Sequence, residues 1–194
     1  MKKFGIIAAM QEEMQEIQKI MDDAKKTKIY DLNFIKGKIG NYEVVLVEAG
    51  VGKVNAARTT QILIDNFEID AIINVGSAAA ANEKLNIGDI VIANKLVQHD
   101  FDITAFGHPK GYISNVGQYL ESDKELVINI EKAIKKIDNN KFKRTETVEA
   151  VPVDVALGSF RVDVLAVGKV ETPVIVLGVI GAVWSIWIWA TSHR

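Results

Sequence analysis

An α/β fold, with a mixed central sheet flanked by helices, is what this sequence predicts, and three observations predict it. Short apolar runs alternate with stretches whose apolar residues recur at helical spacing. Glycines follow several of the apolar runs, where strands of such sheets turn into loops or helices. The chain has 194 residues, enough for one domain with a sizeable core and an appendage. The C-terminal portion departs from the pattern and reads as atypical.

The elements follow in order. Lys3 to Ala9 reads as a buried strand, and Met10, Met14, Ile17 and Met21 recur at helical spacing after it. Asn33 to Lys38 and Tyr42 to Glu48 read as strands joined by a two-residue turn at Gly40-Asn41. Gly50-Val51-Gly52 leads into a helical stretch, Lys53 to Asn66. Ala71 to Val75 is a buried strand ending in Gly76-Ser77, and Gly88 to Ala93 is another. Ser122 to Glu125 has the form of a capping box, S-x-x-E. Val127, Ile130, Ile134 and Ile137 then mark one helix face. Asn139 to Glu149 is polar and reads as a loop or junction.

Composition excludes some functions. Net charge is −2, so no nucleic-acid partner is expected. The absence of cysteine removes disulfides, thiol nucleophiles and thiolate metal sites, and is compatible with a cytoplasmic location. The apolar run after Lys2-Lys3 is brief and meets Gln11, Glu12, Glu13 and Glu16, so a secretory signal is not expected. After Val151 charges thin out, and Trp184, Trp187 and Trp189 cluster. Val174 to Ala190 carries no charge, but at about 17 residues it is marginal for a spanning helix of roughly 20. Membrane contact by residues 174–190 is the less favoured reading; a buried strand with a short helix also suits Gly178 and Gly181.

Glu12 and Glu13 follow the first strand, where ligands bind in α/β sheets. Acids in a first helical turn also suit the helix dipole, so one glutamate can serve the helix and the other a cleft. VEAGVGKVNAA, Val47 to Ala57, is not a phosphate loop of the G-x-x-x-x-G-K-[ST] kind, since Val47 and Val54 occupy required positions. Asn55 stands where G-x-G-x-x-G needs its third glycine. The segment is either a close approach of backbone to ligand or a tight turn into a helix. INVGSAAA, Ile73 to Ala80, adds a hydroxyl at Ser77. His99, Asp100, Asp102 and His108 lie close in sequence, but their spacing fits no standard metal pattern, and no metal is expected.

Taken in order, GIIAAMQEEM, GVGKVNAA, INVGSAAA, NIGDIVIA and HDFDITAFG resemble the motifs of the 5'-methylthioadenosine/S-adenosylhomocysteine nucleosidases, within the purine nucleoside phosphorylase superfamily. The similarity runs from Lys3 to about Asp138. It implies a nucleoside phosphorylase-like fold and hydrolysis of the N-glycosidic bond of methylthioadenosine or S-adenosylhomocysteine, giving adenine and a thioribose. By the same resemblance Glu13 is the water-activating carboxylate, and Ser77 lies near the ribose and its attacking water. Met10 and Val51 line the nucleoside pocket. Phe106 is an aromatic that a partner subunit contributes to the alkylthio pocket, which implies a homodimer. No cofactor is expected, and the reaction would serve methionine salvage. A phosphorylase would need cations around phosphate, and the glycine turns offer only Lys53, so hydrolysis is favoured.

After Lys143 the family's late motifs, S-G-D-x-F, V-E-M-E and a strand ending in S-D, do not occur. Thr172 to Leu177 resembles the strand before the last motif, which puts Gly181-Ala182 at the S-D positions. The expected organisation is therefore a nucleosidase-like α/β domain over residues 1–143, incomplete, and a divergent hydrophobic tail over residues 144–194. The alternative reading is a truncated, frameshifted or diverged member that binds adenine nucleosides without turning them over.

Overall fold

A computed structural model describes residues 2–80, 90–98, 100–136, 145–149, 161–169 and 187–188. They divide into two compact units. The first contains residues 2–76 and 167–169, the second residues 77–80, 90–98, 100–136, 145–149, 161–166 and 187–188.

In the first unit, β1 (Lys3–Ala8) lies between two parallel neighbours, β4 (Tyr42–Glu48) and β5 (Ala71–Ala80). Antiparallel β3 (Leu32–Ile39) and β2 (Asp22–Ile29) extend the sheet beyond β4. The sheet is thus mixed, in the order β2-β3-β4-β1-β5. Helices α1 (Gln11–Lys19) and α2 (Lys53–Phe67) cover opposite faces. Ile7, Ala9, Phe34, Val45, Val47 and Ile72 point to the face of α2, where Ala56, Leu63 and Phe67 meet them. Their strand neighbours Ile6, Ala8, Ile35, Val44 and Leu46 point to the face of α1 and meet Met14. Burial on both faces explains why the first strand is an unbroken apolar run rather than an alternating one.

Gly5 sets how near α2 can come. A methyl there would stand 2.5 Å from Leu63 Cδ2 and 2.9 Å from Ile69 Cδ1. Leu63 is fully buried. Truncating such a leucine typically costs about 2–5 kcal/mol.

The β3–β4 hairpin turns at Gly40-Asn41 as its sequence predicts, with Ile39 opposite Tyr42. Two elements correct the sequence reading. The first helix ends at Lys19, and Met21, still buried, precedes a strand rather than closing a helix. That strand, β2, has no sequence signature. Its first seven residues are exposed, Lys25, Lys26 and Lys28 among them, because it is a sheet edge. Lysines on an edge strand discourage pairing with another chain.

In the second unit, β6 (Ile90–Leu96) pairs in parallel with β8 (Thr145–Glu149) and β9 (Arg161–Lys169), and antiparallel with β7 (Leu120–Glu121). Thr145 to Glu149 is therefore a strand, not the loop its polarity suggested; its ladder to Ile90–Lys95 supplies the pairing. A further short strand, β10 (Trp187–Ile188), pairs with the end of β5. Helix α3 (Lys124–Lys136) buries Leu126 and Val127. Its N-cap is Asp123, whose carboxylate accepts from the Leu126 N–H at 2.9 Å. Ser122, expected in that role, instead donates its hydroxyl to the Ala93 carbonyl at 2.6 Å, tying the helix start to β6. Ile137 and most of residues 174–190 lie outside the described residues. Among the described residues no helix is long and apolar enough to cross a membrane.

Candidate active site

Parallel register brings three strands together in the first unit. Ala8 lies opposite Glu48, and Ile7 opposite Asn74. The ladder continues one step further, with the Ala49 N–H donating to the Ala8 carbonyl at 2.8 Å. Residues 9–10 and 49–52 therefore emerge together beyond the carboxyl ends of β1 and β4, beside residues 75–76 of β5. This is where α/β sheets place ligands.

Glu13 is at the third position of α1, and its carboxylate turns back over the helix start. Oε2 accepts the N–H of Ala9 at 2.9 Å and of Met10 at 3.1 Å. This is the return half of a capping box, the glutamate satisfying amides at the strand-to-helix junction. The carboxylate is half-buried and lies against Gly76 of β5. Glu12 is exposed. The two readings of an acid at a helix start thus meet in one residue: the contacts that cap α1 also fix the direction of the Glu13 carboxylate.

The second loop is latched by a residue outside the glycine motif. Gly50 and Gly52 take φ of +82° and +104°, conformations that a side chain would strain. Asn55 Nδ2 donates to the Val51 carbonyl at 2.8 Å, and the Ala56 N–H donates to the Gly52 carbonyl at 3.1 Å. Asn55, at the position of a missing third glycine, therefore holds the turn by a side-chain hydrogen bond. Val51 is 44% exposed at its tip. Met10 is half-buried and packs on the core under α2.

Beside these loops lies an open groove of about 420 Å³, lined among others by Gln11, Asp31, Glu48, Asn55 and Arg58. Neither Glu13 nor Gly76 lines it. Arg58 holds both oxygens of Asp31, at 2.8 and 2.9 Å, and that hydrogen-bonded pairing lowers the Asp31 pKa.

The remaining expected residues belong to the second unit. Ser77 directly follows Gly76 in β5 and is half-buried. Phe106 ends a single 3-10 turn, Thr104–Phe106, and is 82% exposed. The turn is built locally. Asp102 Oδ1 accepts from the Thr104 N–H at 2.9 Å and from its hydroxyl at 2.7 Å, and these bonds hold the Asp102 carboxyl below the usual range. Gly107 closes the turn with φ of +80°. His108 stacks on Tyr112, ring centroids 4.3 Å apart. Asp102 and His108 are thus occupied in shaping this segment. Among the described residues no group of three His, Asp or Glu side chains could hold a metal, and His99 lies outside them.

Sequence reasoning had marked Glu13, Met10 and Val51, and the three strands collect them. The sequence shows Asn55 only as a missing glycine and Gly76 only as a strand end; what they contribute, a latch and an empty space, carries no sequence signal.

The description "Phosphorylase superfamily" matches residues 3–182 of the chain. The 5'-methylthioadenosine/S-adenosylhomocysteine nucleosidase of Staphylococcus haemolyticus is 41% identical over 136 residues, which cover 70% of this chain and 60% of that protein. The protein of the same description from Bacillus velezensis is 32% identical, with 90% of this chain and 83% of that protein aligned. The chain spans 60% or less of the length of the first curated relatives it matches. Among solved structures, the nucleosidase of S. pneumoniae with the transition-state inhibitor MT-ImmA superposes with a TM-score of 0.72 at 33% identity. It covers 85% of this chain and 83% of that one. The S-adenosylhomocysteine nucleosidase of Streptococcus pyogenes, in complex with 5-methylthiotubericidin, gives 0.73 at 31% identity, with 86% and 81% covered.

Proposed function

The chain belongs to the phosphorylase superfamily and, within it, to the 5'-methylthioadenosine/S-adenosylhomocysteine nucleosidases, and from that premise we propose that it hydrolyses the N-glycosidic bond of such adenine nucleosides. The products are adenine and a thioribose. The observation that carries the reading is the Glu13 carboxylate, fixed by two backbone N–H groups at the carboxyl end of β1 and lying against Gly76 of β5.

The chemistry suits that geometry. The C–N bond breaks through an oxocarbenium-like state, as in glycoside hydrolysis generally. The water oxygen bonds to the anomeric carbon, and the bonding pair leaves with adenine. One water proton passes to Glu13, the departing adenine takes a proton from solvent, and Glu13 afterwards returns its proton to solvent, so that no net proton is gained or lost. The Glu13 carboxylate also offsets the positive charge that develops on the sugar. Ser77 is assigned to the ribose and that water, and Met10 and Val51 to the nucleoside.

Phe106 is assigned to the alkylthio pocket of a second copy in a homodimer. Its exposure supports this, since nothing in its own turn covers the ring. We assign the chemistry to residues 1–143 and place it in the cytoplasm, in methionine salvage. The relatives favour this reading over that of a non-catalytic nucleoside binder.

The test is adenine release from 5'-methylthioadenosine by the purified chain, beside the same assay on Glu13→Gln. Release by the first and its loss in the second is the expected result. Equal rates in both would remove Glu13 from the reaction.

A further inference from the structure

A side chain at Gly76 would meet Glu13 first. A Cβ built there would stand 3.0 Å from Glu13 Oε1, 3.2 Å from its Cδ and 3.3 Å from Oε2. Contacts that close force one of the two groups to move. Gly76 is not among the glycines with positive φ, so its backbone does not itself call for glycine. The three close approaches reported for that Cβ are all to Glu13. The same carboxylate is bonded through Oε2 to the N–H groups of Ala9 and Met10. It is therefore held by two backbone donors where it stands against a bare Cα, and a shift away from Gly76 works against those bonds.

We infer that Gly76 is a positioning residue for the water-activating carboxylate: the absent side chain fixes where Glu13 stands, and any larger residue displaces it. The inference rests on the proposed role of Glu13 for its consequence in rate, and on geometry alone for its consequence in structure. The two parts are separable by experiment.

The structural part is a thermal cycle of four proteins: the unmodified chain, Gly76→Ala, Glu13→Ala, and the double variant. At a backbone position compatible with alanine, Gly→Ala ordinarily stabilises by restricting the unfolded chain. Here Gly76→Ala is expected to lower Tm when Glu13 is present, and to leave it unchanged or raised in the Glu13→Ala background. An equal fall in both backgrounds would overturn the inference. If Gly76→Ala does not fold, recovery of folding in the double variant supports it, and failure of both overturns it.

The catalytic part is the division between kcat and KM. Misplacing a reacting group by about 1 Å can cost on the order of 10²-fold in rate, and the shift a Cβ at Gly76 asks of Glu13 is smaller, so Gly76→Ala is expected to lower kcat by about tenfold with KM unchanged. A rise in KM alone would assign the glycine to admitting substrate and overturn the inference. Undiminished turnover in Gly76→Ala would overturn it as well. Should the unmodified chain release no adenine, the proposed function fails, and the thermal cycle alone decides whether Gly76 positions Glu13.

Discussion

Glu13 and Phe106 are held in opposite ways. The carboxylate of Glu13 is held by its own chain: it accepts from the amides of Ala9 and Met10 and lies against Gly76. The ring of Phe106 sits at the tip of a turn that Asp102 and Gly107 make firm, yet it is 82% exposed. One residue is oriented by neighbours it touches, the other presented by a scaffold that leaves it bare. The difference teaches where each function is completed. A group gripped within its own unit is ready for chemistry there. An apolar ring displayed on a firm turn gains its energy only when another surface covers it.

The sharpest break of this comparison is Glu13→Gln. It keeps the shape and an acceptor oxygen for the Ala9 and Met10 amides but removes the carboxylate proposed as the base. Adenine release is expected to fall by about 10²–10⁴-fold, with Tm little changed. A rate within tenfold of the unmodified chain would show that the grip on Glu13 serves only the helix.

Phe106→Ala probes the other side. Burying a phenylalanine fully is worth about 1.5–3 kcal/mol, so KM for methylthioadenosine is expected to rise about tenfold or more. Tm at concentrations where the chain is monomeric is expected to stay constant, since the ring is exposed there. Sedimentation equilibrium adds the oligomeric state. A large fall in Tm with KM intact would mean that the ring is buried by its own chain.

Asn55→Ala loosens the Val51 turn. A single hydrogen bond contributes about 0.5–1.5 kcal/mol, and this one is exposed, so urea denaturation should show a loss at the low end of that range. Unchanged stability together with unchanged KM would dismiss the latch.

The smallest effect concerns acid. The folded-state pKa of Asp102 is lowered, by the backbone and then the side-chain hydrogen bond of Thr104. A depressed carboxylate pKa contributes order that is present above the unfolded value, about 3.9, and is lost as pH falls through the folded one. The Thr104 amide resonance should hold steady near neutrality and move only below the ordinary carboxylate range. Movement already at pH 6 would contradict the assignment.

How much of this was legible in the sequence follows from the kind of force involved. β1, β4 and β5 were readable because burial on two faces demands continuous apolar runs. The hairpin at Gly40-Asn41 was readable because a two-residue turn needs a particular backbone. β2 was not, since an edge strand of lysines satisfies no apolar pattern. β8 was not, since Thr145-Glu146-Thr147-Val148-Glu149 has no apolar run and is a strand by virtue of its ladder to β6. At α3 the S-x-x-E spacing pointed to Ser122 as the cap. A buried carbonyl of Ala93 competes for that hydroxyl, and Asp123 caps instead. Glu13 was legible through motif resemblance, but its bonds to Ala9 and Met10 were not. Gly76 shows only as one glycine among several until the carboxylate is placed beside it.

The lysines of β2 have a consequence for how copies of the chain meet. Parallel, in-register stacking of two such edges would set Lys25, Lys26 and Lys28 each against its own copy, about 4.8 Å away. Charges repel over a Debye length, about 8 Å at physiological ionic strength, so the repulsion persists across that gap; near 1 M salt the length shrinks to about 3 Å and the repulsion is largely screened. The edge is thus guarded by an electrical barrier whose height the solvent sets, and a salt gradient tunes it without altering a single contact inside the fold.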